Sequence, residues 1–153
     1  MARLREIEKE NKLINRLLKD YYIIGVTTNN HNEKQYVYMS NDSDSITISL
    51  RNVYSRHPHP RLYAKIHQGF HGKYTTTCEI IDIFAEGENS GNGTILLKYL
   101  FTYLKKRDVS EVSGRLSEVD KDRFDKLEHF YMKNGFKVSF NEGRTSGRIT
   151  LTL

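Results

Sequence analysis

The stretch that most limits the folds open to this chain is Ile80-Ile81-Asp82-Ile83-Phe84-Ala85-Glu86-Gly87-Glu88-Asn89-Ser90-Gly91-Asn92-Gly93-Thr94. A β-rich run passes into a loop of small residues. The loop then opens directly into Ile95, Leu96, Tyr99, Leu100, Tyr103 and Leu104, whose three- and four-residue spacing is that of an amphipathic helix ending near Arg107. Strand, glycine-rich turn and helix in that order form a unit of mixed α/β folds.

Such a turn has a chemical consequence. Successive backbone N–H groups in the loop, added to the free N–H groups of the helix start, make a cradle for an anion. Gly91 and Gly93 let phosphate oxygens approach the backbone, and Ser90 and Thr94 can add hydroxyl donors or serve as caps. Two familiar phosphate motifs are absent. A Walker A loop ends in Gly-Lys-Ser/Thr, whereas this one has Asn92-Gly93-Thr94. A dinucleotide fingerprint needs a third glycine where Leu96 stands. The loop by itself therefore means either a phosphate or pyrophosphate site or a plain strand-to-helix turn.

The flanking sequence orders the remaining elements. Residues 2–19 read as a helix with Leu4, Ile7, Ile14 and Leu18 on one face and Asn11 at an interior position of a short heptad. Two outcomes follow from that spacing: a helix packed on its own domain, or a coiled-coil homodimer. Strands are expected at 21–27, 35–40, 45–53, 61–67 and 74–85, with turns at Asn29 to Glu33 and Asn41 to Ser45. His57-Pro58-His59-Pro60 must be a loop, because proline has no donor for a ladder. Val109 to Leu116 alternates as a strand. Asp120 to Asn134 is helical, with Phe124, Leu127 and Tyr131 on one face and Gly135 as its C-terminal glycine. Phe136 to Phe140 and Gly147 to Leu153 close the chain as strands around the turn Asn141-Glu142-Gly143.

At 153 residues the chain suits one domain rather than two. No apolar run approaches the roughly 18–20 residues needed to cross a bilayer. MARLREIEKENK is too charged for an export signal, and the single Cys78 suits a reducing compartment, so a cytoplasmic protein is expected. Lys and Arg outnumber Asp and Glu by 24 to 19, a formal charge of +5. That surplus serves a phosphate-rich small ligand as readily as nucleic acid, and the basic residues form no dense run. His57, His59, His67 and His71 match no zinc spacing, and Cys78 is the only thiol, so no metal is expected.

His129-Phe130-Tyr131-Met132-Lys133-Asn134-Gly135-Phe136 resembles the "Phe-Tyr-x-Lys-x-Gly-Phe" phrase of the GNAT N-acetyltransferase superfamily. Gly91 and Gly93 match that family's "Gln/Arg-x-x-Gly-x-Gly/Ala" pyrophosphate loop, and helix, strand and helix lie between the two phrases in the family's order. The resemblance spans residues 74–140. It implies a mixed, mostly antiparallel central sheet flanked by helices, with acetyl-CoA bound at the strand-loop-helix unit. The backbone of Ile83 and Ala85 would bond the pantetheine arm. The loop amides of Asn89, Ser90, Gly91, Asn92 and Gly93, with Thr94, would hold the pyrophosphate. Tyr131 would protonate the departing thiolate, since a thiolate leaving group needs a donor as its charge develops.

The amine must be neutral to attack, so a base is required. Glu79 is the candidate, placed by simple alternation on the side of Ile81 and Ile83, with Asp82 facing the other way. Other features depart from the family. Glu88 stands at the first loop position with Glu86 close by, Phe124 replaces an asparagine, Ala85 replaces a proline, and only one N-terminal helix is evident. Two readings follow: an N-acetyltransferase acting on a primary amine by direct attack in a ternary complex, or a non-catalytic module of the same fold that binds acyl-CoA or a protein. An amine borne on RNA is a further acceptor that the positive charge accommodates.

Overall fold

The structure is a computed structural model and describes residues 2–54, 59–69, 76–85 and 89–153. Helix α1 covers Ala2–Asp20. Strands β1 (Tyr22–Thr28), β2 (Lys34–Asp42), β3 (Ser45–Arg51), β4 (Arg61–His67) and β5 (Thr77–Phe84) follow. Then come α2 (Asn92–Lys106), β6 (Glu111–Leu116), a 3-10 turn at Glu118–Arg123, α3 (Phe124–Lys133), β7 (Lys137–Phe140) and β8 (Gly147–Thr152). Among the described residues these strands form one eight-stranded sheet in the order β1-β2-β3-β4-β5-β6-β8-β7. Every neighbouring pair is antiparallel except β5 and β6, which are parallel and joined by the crossover through α2. This is the mixed, mostly antiparallel sheet with flanking helices that the family resemblance implies.

Burial explains why adjacent strands look so different in sequence. Val37, Met39, Ile48, Leu50, Leu62, Ala64, Ile66, Cys78 and Ile80 point to one face, where they meet Leu96, Leu97, Leu100 and Leu104 of α2 and Phe124 and Tyr131 of α3. Leu13 and Leu17 of α1 cover Tyr36 and Tyr38 on the opposite face. Strand β2 is thus covered on both sides, and Gln35 to Met39 are all buried. Strand β4 is covered on one side only, and its residues alternate strictly between buried and more exposed.

One expectation for α1 is overturned. Its buried contacts come from Leu13 and Leu17, with Ile14 partly buried, while Leu4, Ile7 and Leu18 are 59%, 46% and 59% exposed. The helix packs through a stripe next to the one its most regular spacing suggested. The sheet surface it meets is Tyr36 and Tyr38, which Leu13 and Leu17 cover with Ile14, Ile23 and Val53 packed around them.

Candidate active site

Strand β5 has two different ends. From Thr77 to Ile80 it pairs with β6, at Thr77↔Glu111 through Ile80↔Gly114. There the pairing stops. β6 continues to Leu116 against β8, and β5 continues to Phe84 against β4. The two parallel neighbours separate, and among the described residues the backbone of Ile81 to Phe84 has no strand on its β6 side. An unpaired strand edge inside a fold must find donors and acceptors elsewhere, in water or in a ligand.

A bulge marks the point of separation. Ala64 lies opposite Ile80 and Tyr63 opposite Asp82, so Ile81 is the extra residue. The bulge overturns the alternation inferred from the sequence. Ile83 lies opposite Leu62 and so shares the buried face with Ile80. Glu79 and Asp82, opposite Lys65 and Tyr63, share the other face. Glu79 is therefore not on the side of Ile83, and Asp82 does not face away from Glu79. A single inserted residue exchanges every side beyond it. The Glu79 carboxylate lies 3.4 Å from Nε2 of His67 on the neighbouring strand.

The loop after β5 returns at Asn89. Glu86 and Glu88, the two carboxylates that depart from the family phrase, lie outside the described residues. Gly91 is the N-cap of α2 at φ +82°, a left-handed conformation that favours glycine. Gly93 is required by packing as well, since a Cβ there would come within 2.8 Å of the Phe130 ring. The loop side chains are committed to holding the loop itself. Ser90 Oγ accepts the Asn92 N–H at 3.2 Å, and Asn92 Nδ2 donates to the Ala85 carbonyl at 3.1 Å. Both side chains are buried. Of the loop amides that the resemblance implies for a pyrophosphate, that of Asn92 is thus taken up within the loop, while the Ala85 carbonyl, expected to face the pantetheine arm, accepts from Asn92 Nδ2. Thr94 Oγ1 accepts from Asn134 Nδ2 at 3.4 Å, which ties the start of α2 to the end of α3. The N–H groups of Gly93 and Thr94, in the first turn of α2, have no acceptor among the described residues. They are the orphan donors that every helix start presents.

Sequence reasoning missed the other half of this scaffold. Asn29 and Asn30, in the turn between β1 and β2, clamp the loop. Asn29 Nδ2 donates to Asn92 Oδ1 at 3.2 Å, the Asn30 N–H donates to the Ser90 carbonyl at 2.8 Å, and Asn30 Nδ2 donates to the Asn89 carbonyl at 3.1 Å. Asn29 Oδ1 meanwhile accepts from the His31 and Glu33 amides at 2.9 and 3.1 Å, an ordinary asparagine turn. The local signal announced that turn correctly. It held nothing about a partner some sixty positions away.

The third component is Tyr131. The helix it belongs to ends in a Schellman motif, with the Phe136 N–H donating to the Tyr131 carbonyl at 3.0 Å and the Gly135 N–H to the Met132 carbonyl at 3.0 Å. Gly135 takes φ +92° to allow it. The Phe136 ring packs edge-on against Tyr131 at 5.4 Å, and Phe130 does the same at 5.1 Å. The phrase Phe130-Tyr131-Met132-Lys133-Asn134-Gly135-Phe136 thus has a physical meaning: it is a helix cap that immobilises one tyrosine.

Tyr131 is 7% exposed. Its hydroxyl has no hydrogen-bond partner among the described residues. Burial raises its pKa to about 12, and the charges of Asp82 and Asp120 add to the rise against an opposing effect of Arg123. The phenol is a protonated donor at neutral pH, and the charge of Asp82, beyond the bulge, reaches it. Phe124, which stands where the family has asparagine, is a core residue stacked on Phe140 at 5.0 Å.

The described histidines do not assemble a site. His59 is buried, His67 meets Glu79, and no group of three or more metal-ligating residues occurs among the described residues. His57 and His71 lie outside them. Among the described residues no helix is long and apolar enough to cross a membrane.

No family model matches the chain. It is 26% identical over 133 residues to an uncharacterized protein, YocC, of Bacillus subtilis (strain 168), an alignment covering 87% of this chain and 78% of that one. Among solved structures, an acetyltransferase from Thermus thermophilus superposes with a TM-score of 0.53 at 16% identity, over 73% of this chain and 66% of that one. A protein from Desulfovibrio desulfuricans assigned to the GNAT acetyltransferases gives 0.52 at 14% identity, over 72% and 68%. Nourseothricin acetyltransferase gives 0.53 at 12% identity, over 87% and 84%.

Proposed function

We propose that this chain, which has the fold of the GNAT acetyltransferases, transfers an acetyl group from acetyl-CoA to a primary amine. The observation that carries the proposal is the one-ended pairing of β5 and β6 beside the start of α2. The unpaired edge from Ile81 to Phe84, continuing to the Ala85 N–H, offers amides and carbonyls to an amide-bearing arm such as pantetheine. The orphan N–H groups of Gly93 and Thr94, at the positive end of the α2 dipole, suit a pyrophosphate. An acyl-CoA presents those two features in that order.

In the reaction the amine nitrogen attacks the thioester carbonyl, the C–S bond breaks, and the sulfur leaves with the bonding pair. Tyr131, held protonated by its raised pKa, would supply the proton to that sulfur. Released protons from the acceptor ammonium would pass to a carboxylate on β5. Glu79 was the expected base. Asp82 is the better placed of the two, because its charge reaches Tyr131 while Glu79 is engaged with His67.

Direct attack in a ternary complex predicts that initial-rate plots at varied acetyl-CoA and amine intersect, and that no acetyl-enzyme accumulates. Parallel plots would sink the direct mechanism. Calorimetric titration with acetyl-CoA and CoA tests the donor site first, with Gly91→Asp as the control that removes the left-handed cap.

A second reading is favoured by the loop itself. Because the Asn92 amide and the Ala85 carbonyl are bonded within the loop, fewer groups remain for the cofactor than the family phrase suggests. The same fold could then bind an acyl-CoA or a protein without chemistry. Binding of acetyl-CoA with no transfer to any amine would establish that alternative.

A further inference from the structure

The acceptor remains to be named, and the open face of the sheet offers one place for it. Beside α1, a cleft of about 290 Å³ is lined by Tyr21, Tyr38, Ser40, Thr47, Ser49, His59, Arg61 and Tyr63. It borders the splayed end of β5, because Arg61 lies opposite Phe84 and Tyr63 opposite Asp82. Its volume fits a small molecule rather than a protein segment.

Among the described residues no carboxylate lines the cleft, and Arg61 is its only full cation. The guanidinium is held by stacking, 5.2 Å from the Phe84 ring and 6.0 Å from the Tyr63 ring, and by a bond of 3.2 Å from Nη1 to the His59 carbonyl. It has no ion-pair partner among the described residues. A fixed guanidinium without a counter-charge keeps donors for an incoming anion. Its field is already felt within the cleft: the charges of Arg51 and Arg61 work against the burial that raises the Tyr38 pKa.

At the other end, the exposed Asp82 is diagonal to Arg61 across the β4–β5 pair, about 7–8 Å away between backbones. An acceptor lying along this diagonal meets a negative charge at its amine end and a positive charge at its far end.

We propose that this cleft receives the acceptor and selects a small primary amine that also carries an anionic group, a carboxylate or a phosphate, held by Arg61. The inference rests on the donor-site reading for its amine end, and on Arg61 alone for the anion.

Matched acceptors test it: tyrosine against tyramine, and phosphoethanolamine against ethanolamine, with spermidine as a cationic control. The anionic member of each pair is expected to have at least a tenfold higher kcat/KM. That ratio should fall toward one in Arg61→Gln and be partly kept in Arg61→Lys. The two pairs tell carboxylate from phosphate. A wild-type ratio of one, a preference for spermidine, or a ratio unchanged in Arg61→Gln would overturn the proposal.

If no amine is acetylated, the donor reading has failed and the anion site is tested separately. N-acetyltyrosine should then shift the NMR signals of the cleft in the wild type and not in Arg61→Gln. No shift in the wild type would overturn the anion site as well.

A different observation carries a second inference. On α1 the exposed side chains Leu4, Ile7, Asn11 and Leu18, with the partly buried Ile14, follow alternating three- and four-residue steps. At 100° per residue this stripe lies about a third of a turn from Leu13 and Leu17, which face the sheet, and about a fifth of a turn from Glu10, which pairs with Lys34 at 3.3 Å. Arg3 and Glu8 flank the stripe five residues apart, and neither has an ion-pair partner among the described residues. In a parallel pair of helices those positions meet across the seam, so each Arg3 would face the partner's Glu8.

We infer that α1 docks on α1 of a second copy as a short parallel coiled coil, with Asn11 paired at the interior. Two and a half heptads would be marginal for free peptides, but α1 is already folded against its own sheet. Sedimentation equilibrium should show a dimer that Ile7→Lys dissociates. Arg3→Glu should weaken it and Glu8→Arg in the same chain restore it. A wild-type monomer at the highest soluble concentration, or a dimer indifferent to Ile7→Lys, would overturn this assembly.

Discussion

The two ends of β5 show how one strand can serve both a core and a site. From Thr77 to Ile80 it is paired on both sides, and its inward side chains Cys78 and Ile80 are buried. From Ile81 to Phe84 it is paired only with β4, and its residues range from half-buried to exposed. The change occurs at one bulged residue. On the near side, satisfied backbone and buried apolar surface stabilise the sheet. On the far side, the same backbone is left open on one edge, and what the fold gives up in pairing becomes available to a ligand.

The largest expected effect is at the open end. Tyr131→Phe keeps the ring, its stacking and the helix cap, and removes only the proton donor. Its kcat should fall about 100-fold or more, with acetyl-CoA affinity by calorimetry changed less than about twofold. Equal losses in both would mean the hydroxyl binds rather than protonates.

Acid–base behaviour sharpens the same assignment. Burial raises the Tyr131 pKa from 10.0 to about 12. The rate should therefore rise with pH as the acceptor ammonium loses its proton, with no falling limb from Tyr131 below about pH 12. The stability sign is consistent. An unfolded tyrosine ionises near pH 10, so the benefit of keeping this one neutral is whole below pH 10 and disappears as pH climbs through about 12. A falling limb near pH 8 would point to a different acid.

Stability should separate the two ends directly. Ile80→Ala empties a buried position and should cost about 2–4 kcal/mol, measured by urea denaturation. Ile81→Ala, at a residue 57% exposed, should cost less than about 0.5 kcal/mol. Similar costs would mean that the bulge is not a boundary.

Asn29→Ala lies far from both ends in sequence but supports the loop that follows the open one. It leaves Asn92 without one partner and should cost about 1–3 kcal/mol, the penalty for a buried polar group left unsatisfied. Acetyl-CoA affinity should fall with it. The smallest effect belongs to Cys78 at the paired end. It is fully buried, and burial together with the Glu79 charge lifts its pKa to about 12. An aromatic disulfide reagent should leave it untouched in the native protein and react once urea unfolds it.

Much of this is readable in the residues alone. Helix α2 and the Schellman cap of α3 declare themselves through local rules: apolar spacing for one, glycine after a helix for the other. The strand at 61–67 is legible from its alternation. The side assignments on β5 are not, because alternation assumes an unbroken register, and nothing in Ile80-Ile81-Asp82 announces that β4 will meet it with one residue fewer. The buried face of α1 is not legible either, since two stripes compete on that helix and the sheet chooses between them. The clamp from Asn29 and Asn30 joins a turn to a loop across four intervening strands, which no local pattern carries.

The amino-acid sequence by itself determined the order of elements, the loop that starts α2 and the tyrosine held by its helix cap, because each depends on interactions within a few residues. The tertiary structure alone decided where β5 parts from β6, that Glu79 and Asp82 share one face of β5, and that Arg61 lies opposite Phe84. Those are relations between strands, set by register and by how much of each face the helices cover, and they exist only once the chain has closed on itself.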